Sequence, residues 1–178
     1  MAVVLTACGS ADVGRGGLAA PVATGKPVQV QDDSDGDGSI PENGSISLSD
    51  TQHAALRKLD PALLDAVQKA AADARARGVE FRVTSGWRSR AYQQRLLDQA
   101  IVTYGSLDQA RKYVNTPDKS EHVTGKAIDI GPTNADDWLI QHGADYGLCQ
   151  AYANEMWHFE LLTEPGGGCP APRSDATS

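Results

Sequence analysis

The chain has few of the residues that build large apolar structures. Its 178 residues include only two Phe, three Trp and two Met. No stretch is long and apolar enough to span a bilayer as a helix. Positive charge is also short, with 16 Lys and Arg against 23 Asp and Glu, a net charge of −7. That balance argues against a nucleic-acid partner and gives no basic membrane patch. Cysteine occurs three times, so at most one internal disulfide can form. The length suits one domain of about 100–150 residues plus a tail.

The two ends read as accessories to that domain. Met1 to Ser10 lack the basic opening of a complete signal peptide, yet Leu5-Thr6-Ala7-Cys8 resembles a bacterial lipobox. On that reading residues 1–8 are part of a signal sequence and Cys8 carries lipid. Residues 9–47, rich in Gly, Pro, Ser, Ala and Asp, read as a flexible acidic linker. Asp33 to Gly38 imitate the opening of a calcium loop. Gly44 stands where that loop needs a bidentate Glu, so solvated linker is the better reading. The folded domain is expected over 48–172, with 173–178 a disordered tail.

Within the domain the punctuation is clear. Asp60-Pro61 caps a helix whose Leu63, Leu64, Val67, Ala70 and Ala71 recur at helical spacing, and Gly78 closes it. Val79 to Ser85 alternates as a strand. Ser89 caps a helix over Arg90 to Tyr104, and Ser106 with Gln109 forms a capping box for a shorter one, with Leu107, Ala110 and Val114 its buried face. Asn134 is expected to cap a helix through His142, followed by strands from Tyr146 to Phe159 that turn near Asn154. Helices alternating with short strands predict an α+β fold: a small antiparallel sheet with helices packed on one side.

The chemistry concentrates in Ser120 to Gly131, Ser-Glu-His-Val-Thr-Gly-Lys-Ala-Ile-Asp-Ile-Gly. Ala127 to Ile130 reads as a strand that presents Asp129 beside small Ala127. Gly125 lets the chain turn so that His122 returns to the same space. An imidazole and a carboxylate suit zinc, which takes both at about 2.0–2.2 Å. His158, in Glu155-Met156-Trp157-His158, can complete three protein ligands and leave a fourth position open, the catalytic pattern. Glu155 is then the candidate general base. In a regular strand residues three apart face opposite sides, so Glu155 must stand at a strand start or a bulge. Arg88, between a strand end and a helix start, can offer its planar fork to a carboxylate or a carbonyl oxygen.

Ser-x-His-x-x-Gly-x-Ala-x-Asp followed by Glu-x-Trp-His resembles the VanY-type zinc D-alanyl-D-alanine carboxypeptidases, part of the fold group that holds lysostaphin-type endopeptidases and the hedgehog signalling domain. The resemblance covers about 48–172. It implies a single catalytic zinc held by His122, Asp129 and His158, with Glu155 as base. Ser-Gly-Trp-Arg-Ser at 85–89 is similar to the family's Ser-Gly-Tyr-Arg-Ser, which implies a substrate contact for Arg88. Gln93 and Ser120 take substrate positions on the same grounds, Tyr152 would orient the peptide, and Trp157 would form a wall. The implied substrate is a peptidoglycan stem peptide ending in D-Ala-D-Ala. A D,D-dipeptidase, an L,D-carboxypeptidase or an inactive wall-binding lipoprotein of the same fold are the alternatives. Cys149 and Cys169 are expected to form a disulfide once Cys8 is assigned to lipid. The expected setting is outside the cytoplasmic membrane, tethered by lipid alone, as a monomer.

Overall fold

A computed structural model describes residues 34–178. The lipobox reading at Cys8 and the first part of the expected linker lie outside the described residues. A short helix α1 (Ser34–Asp37) is followed by α2 (Ala54–Arg57), α3 (Pro61–Ala76), β1 (Arg82–Ser85), α4 (Arg90–Tyr104) and α5 (Leu107–Ala110). Then come α6 (Glu121–Thr124), β2 (Ala127–Gly131), α7 (Thr133–His142), a 3-10 turn (Gly143–Tyr146), β3 (Leu148–Tyr152) and β4 (Glu155–Leu161). The strands form one antiparallel sheet in the order β1-β2-β4-β3. The α+β expectation holds.

Alternation along β2 divides the sheet's work. Ile128 and Ile130 join Phe159 and Leu148 in the main core, against Leu63, Val67 and Ala70 of α3 and Trp138 and Leu139 of α7. Each fully buried Leu, Ile or Phe there contributes roughly 1.5–3 kcal/mol of transfer free energy. Ala127 and Asp129 take the opposite face. Helices α4 and α5 keep a small cluster of their own, Leu97, Ala100 and Ala110.

The capping signals act as expected. The Asp60 carboxylate accepts from Ala62 N, Pro61 opens α3, and the Ser89 hydroxyl accepts from Tyr92 N at the start of α4. Two local readings are corrected. Asn134 lies inside α7, with Pro132 at the capping position. Leu107 is 46% exposed, so the buried side of α5 rests on Ala110.

Two expected boundaries are corrected as well. The linker does not extend to Ser47, because the chain packs from Asp37 onward. The Asp37 carboxylate pairs with Arg95, its carbonyl accepts from Ser89 N at 2.8 Å, and Ile46 bridges Val83 of β1. Ile40 and Leu48 are buried in the core, so three spaced apolar residues dock an extended segment that has no periodicity to announce it. The tail is not disordered from 173 either. Arg173 N donates to Ala151 O at 3.0 Å, and Arg173 O accepts from Ala153 N at 2.7 Å. β3 is the sheet's outer strand, and an open edge offers such pairing to any extended segment within reach. The expected disulfide joins Cys149 of β3 to Cys169, with Cα atoms 5.7 Å apart.

Candidate metal centre

Asp129 of β2 and His158 of β4 are directly paired across the ladder, so their side chains leave the same face of the sheet. His122 comes from α6, a single turn closed by Gly125 at φ 77°. That left-handed conformation favours glycine, and a Cβ there would meet Lys58 O at 2.6 Å. Any larger residue would therefore displace the turn that aims His122.

Three atoms then converge. Asp129 Oδ1 lies 3.1 Å from His158 Nδ1 and 3.3 Å from His122 Nε2, and the two nitrogens are 3.2 Å apart. A tetrahedral zinc with bonds of about 2.0–2.1 Å separates its ligand atoms by about 3.3–3.4 Å. The triangle is thus close to one face of such a site, and all three residues line the cavity. All three residues are buried. Behind them, His122 Nδ1 donates to Gly86 O at 2.8 Å, and His158 Nε2 donates to Glu160 Oε1 at 3.0 Å. Such partners fix the ring that would face a metal and raise its basicity. The donor set and its backing both fit zinc.

Electrostatics agree with a site built for a cation. Burial first, then Arg88, pushes the His122 imidazole down to about 4. Burial would lower His158 too, but its hydrogen bonds to Asp129 and Glu160 overcome this and hold it up at about 9. Burial would raise Asp129, yet His122, His158 and Arg88 outweigh it and keep that carboxyl far below the usual range. A metal would have to displace any proton shared between His158 Nδ1 and Asp129 Oδ1.

Glu155 opens β4 opposite Tyr152. Between the pairs Gln150↔Phe159 and Tyr152↔Glu155, β3 advances from 150 to 152 while β4 runs from 159 back to 155. The ladder is irregular there, so Glu155 is not bound by the alternation that would put residues three apart on opposite faces. Glu155 Oε2 lies 3.8 Å from His158 Nδ1. Its Oε1 is buried and finds no hydrogen-bond partner among the described residues. Burial, opposed by His158 and Arg88, pushes this carboxyl up to about 7.

Arg88 is held from three sides. Its Nε donates to Ser85 Oγ at 2.7 Å, Nη1 to Gln93 Oε1 at 3.1 Å and Nη2 to Asp129 Oδ2 at 2.9 Å. These use three of its five N–H donors, leaving two for a ligand. Gln93, expected at the substrate, is almost wholly buried and spends its other end donating to Asn115 O at 2.8 Å. Ser120, Tyr152 and Trp157 line the same cavity of about 200 Å³ as Arg88, Gln93, Glu155 and the three converging residues. Trp157 stands at its rim, 42% exposed.

Some participants were not foreseen. Glu160 is two residues from His158 on a strand, hence on the same face, and that spacing could have revealed it. The Gly86 carbonyl and Arg173 carry no comparable signal.

Fold and site together define a candidate metal centre of the zinc-hydrolase kind, two imidazoles and a carboxylate beside a second carboxylate. The family model described as VanY, D-alanyl-D-alanine carboxypeptidase, matches residues 56–165, more than half of the chain. The chain belongs to this family. It is 29% identical to a D-alanyl-D-alanine carboxypeptidase of Enterococcus faecalis, over a match covering 50% of this chain and 42% of the relative. It is also 29% identical to a bifunctional D-Ala-D-Ala dipeptidase and D-Ala-D-Ala carboxypeptidase of Enterococcus gallinarum, covering 49% of this chain and 48% of that one. The chain thus spans less than half the length of either curated relative. Among solved structures, a vancomycin-resistance D,D-pentapeptidase VanY in complex with Zn(II) superposes with a TM-score of 0.56 at 25% identity, over 59% of this chain and 73% of that one. VanYB in complex with D-alanine-D-alanine gives 0.55 at 25% identity, over 59% and 72%.

Proposed function

We propose that this chain is a zinc-dependent D-alanyl-D-alanine carboxypeptidase that removes the terminal D-Ala from peptidoglycan stem peptides. The observation that carries the reading is the triangle of His122 Nε2, Asp129 Oδ1 and His158 Nδ1 with Glu155 at its side. Zinc bound there would supply Lewis acidity toward a carbonyl and toward water. The remaining work falls to side chains. Glu155, buried but ionisable near neutrality, takes the proton of the attacking water and returns it to the leaving amine. Arg88, immobilised by Ser85, Gln93 and Asp129, turns its two free N–H groups to the carboxylate or developing oxyanion of the substrate. Ser120 and Tyr152 line the cavity where the peptide would lie, and Trp157 walls its rim. A cavity of about 200 Å³ suits a substrate end made of small residues.

The cellular setting belongs to the same proposal. A lipid on Cys8 and the segment after it would hold a monomeric domain outside the cytoplasmic membrane, within reach of the wall. Among the described residues no helix is long and apolar enough to cross a membrane. Measuring D-Ala release from Lys-D-Ala-D-Ala and from free D-Ala-D-Ala, with and without chelator, tests the reading. Chelator-sensitive release from the tripeptide supports it. Release from the dipeptide alone would replace it with a dipeptidase, and zinc binding without hydrolysis would leave a wall-binding module.

A further inference from the structure

Arg173 reaches the site from outside the residues that match the family model, 56–165. Its position is built in steps. Cys169 is tied to Cys149 of β3. Pro170 and Pro172 then restrict the chain to extended backbone. Arg173 pairs through its N–H and carbonyl with Ala151 and Ala153. The guanidinium consequently lies over the Tyr152 ring, 4.4 Å from its centroid, with Nη2 3.6 Å from Glu160 Oε1.

Both groups that it touches border His158. Glu160 Oε1 accepts from His158 Nε2 at 3.0 Å, and the Tyr152 ring packs 5.0 Å from the imidazole. We infer that Arg173 is a positioning residue for the metal centre, clamping Glu160 and Tyr152 so that His158 Nδ1 is held toward His122 and Asp129. An isolated half-exposed ion pair would contribute little. Here the arginine is fixed by backbone pairing, ring stacking and charge together, so it restricts two neighbours of one ligand at once. The inference rests on reading the triangle as a zinc site, and not on the hydrolysis.

Charge alone predicts the opposite effect, which makes the idea decidable. Removing a positive group near a cation site tightens cation binding if only the long-range field counts. Removing a clamp weakens it. Zinc affinity is measured by competition with a chromophoric chelator on the full chain, for wild type, Arg173→Met and Arg173→Lys. Arg173→Met should weaken zinc by about 3–10-fold, less than the roughly 10–100-fold typical of a direct ligand partner. Arg173→Lys should recover part of the loss, since an ammonium can pair with Glu160 but offers Tyr152 no planar face. Thermal unfolding of the metal-free proteins should stay unchanged. Zinc affinity equal to or tighter than wild type in Arg173→Met would overturn the inference. So would a loss matched by equal destabilisation of the metal-free protein, since a merely structural role moves both. Zinc binding by wild type without D-Ala release would remove the proposed function and leave this inference standing.

Discussion

Asp129 and His158 are cross-strand partners in the β2–β4 ladder, with Oδ1 3.1 Å from Nδ1. Two of the three candidate ligands are therefore set by sheet register, and a one-residue slip between the strands would put them on opposite faces. The third, His122, depends on a four-residue helix and its glycine.

Metal should stabilise this fold measurably. A ligand that binds only the native state adds about 2.7 kcal/mol when present at 100 times its Kd. Thermal unfolding of the chelated protein should shift upward on adding zinc, and the shift should vanish in Asp129→Ala. A metal-independent midpoint would count against the site.

Glu155→Gln keeps shape and removes the proposed base. D-Ala release should fall by about 10²–10⁴-fold, with zinc affinity close to wild type, because Glu155 is not one of the three converging atoms. Loss of zinc along with activity would make Glu155 a ligand.

Arg88→Lys should also fail, despite keeping the charge. A lysine has no fork with which to meet Ser85, Gln93 and Asp129 together. Misplacing such a group can cost about 10²-fold. Activity near wild type in this variant would show that a point charge suffices.

Asp136 gives a pH prediction remote from catalysis. It is buried in α7, its Oδ1 has no hydrogen-bond partner among the described residues, and burial followed by repulsion from Asp137 and Asp129 pushes it up to about 6. A raised carboxyl binds its proton more tightly folded than unfolded. Its stabilising contribution is full below about pH 4 and is lost as pH rises toward 6. Relative to wild type, Asp136→Asn should gain stability across that window, by up to roughly 3 kcal/mol at pH 7 and above. Denaturant unfolding at pH 4 and pH 8 checks this, and a difference that does not change with pH would refute it.

The sequence made the site legible where local spacing decided the geometry. Ser89, Gly125 and the alternation of Ala127 to Ile130 forecast α4, the α6 turn and the face of Asp129. The constraint that Glu155 and His158 could meet only at a strand start or bulge anticipated both features of β4. What stayed hidden depended on distant contacts. Asp37 meets Arg95, Ile46 meets Val83, and Arg173 meets Ala151 and Ala153, each from segments without periodicity. Gln93, read as a substrate contact, lines the cavity, and its hydrogen bonds to Arg88 and to the Asn115 carbonyl had no signal in the sequence.

Both ends of the described chain lie against the folded domain, Asp37 to Leu48 at β1 and α4, Arg173 at the outer edge of β3. A protein trimmed for expression to 56–165 would retain His122, Asp129, Glu155 and His158. It would be deprived of Ile46 on one margin of the sheet and of the Cys169 tether on the other. Boundaries for a minimal folded fragment therefore belong no further in than Asp37 and Arg173, well beyond the segment that kinship alone would delimit.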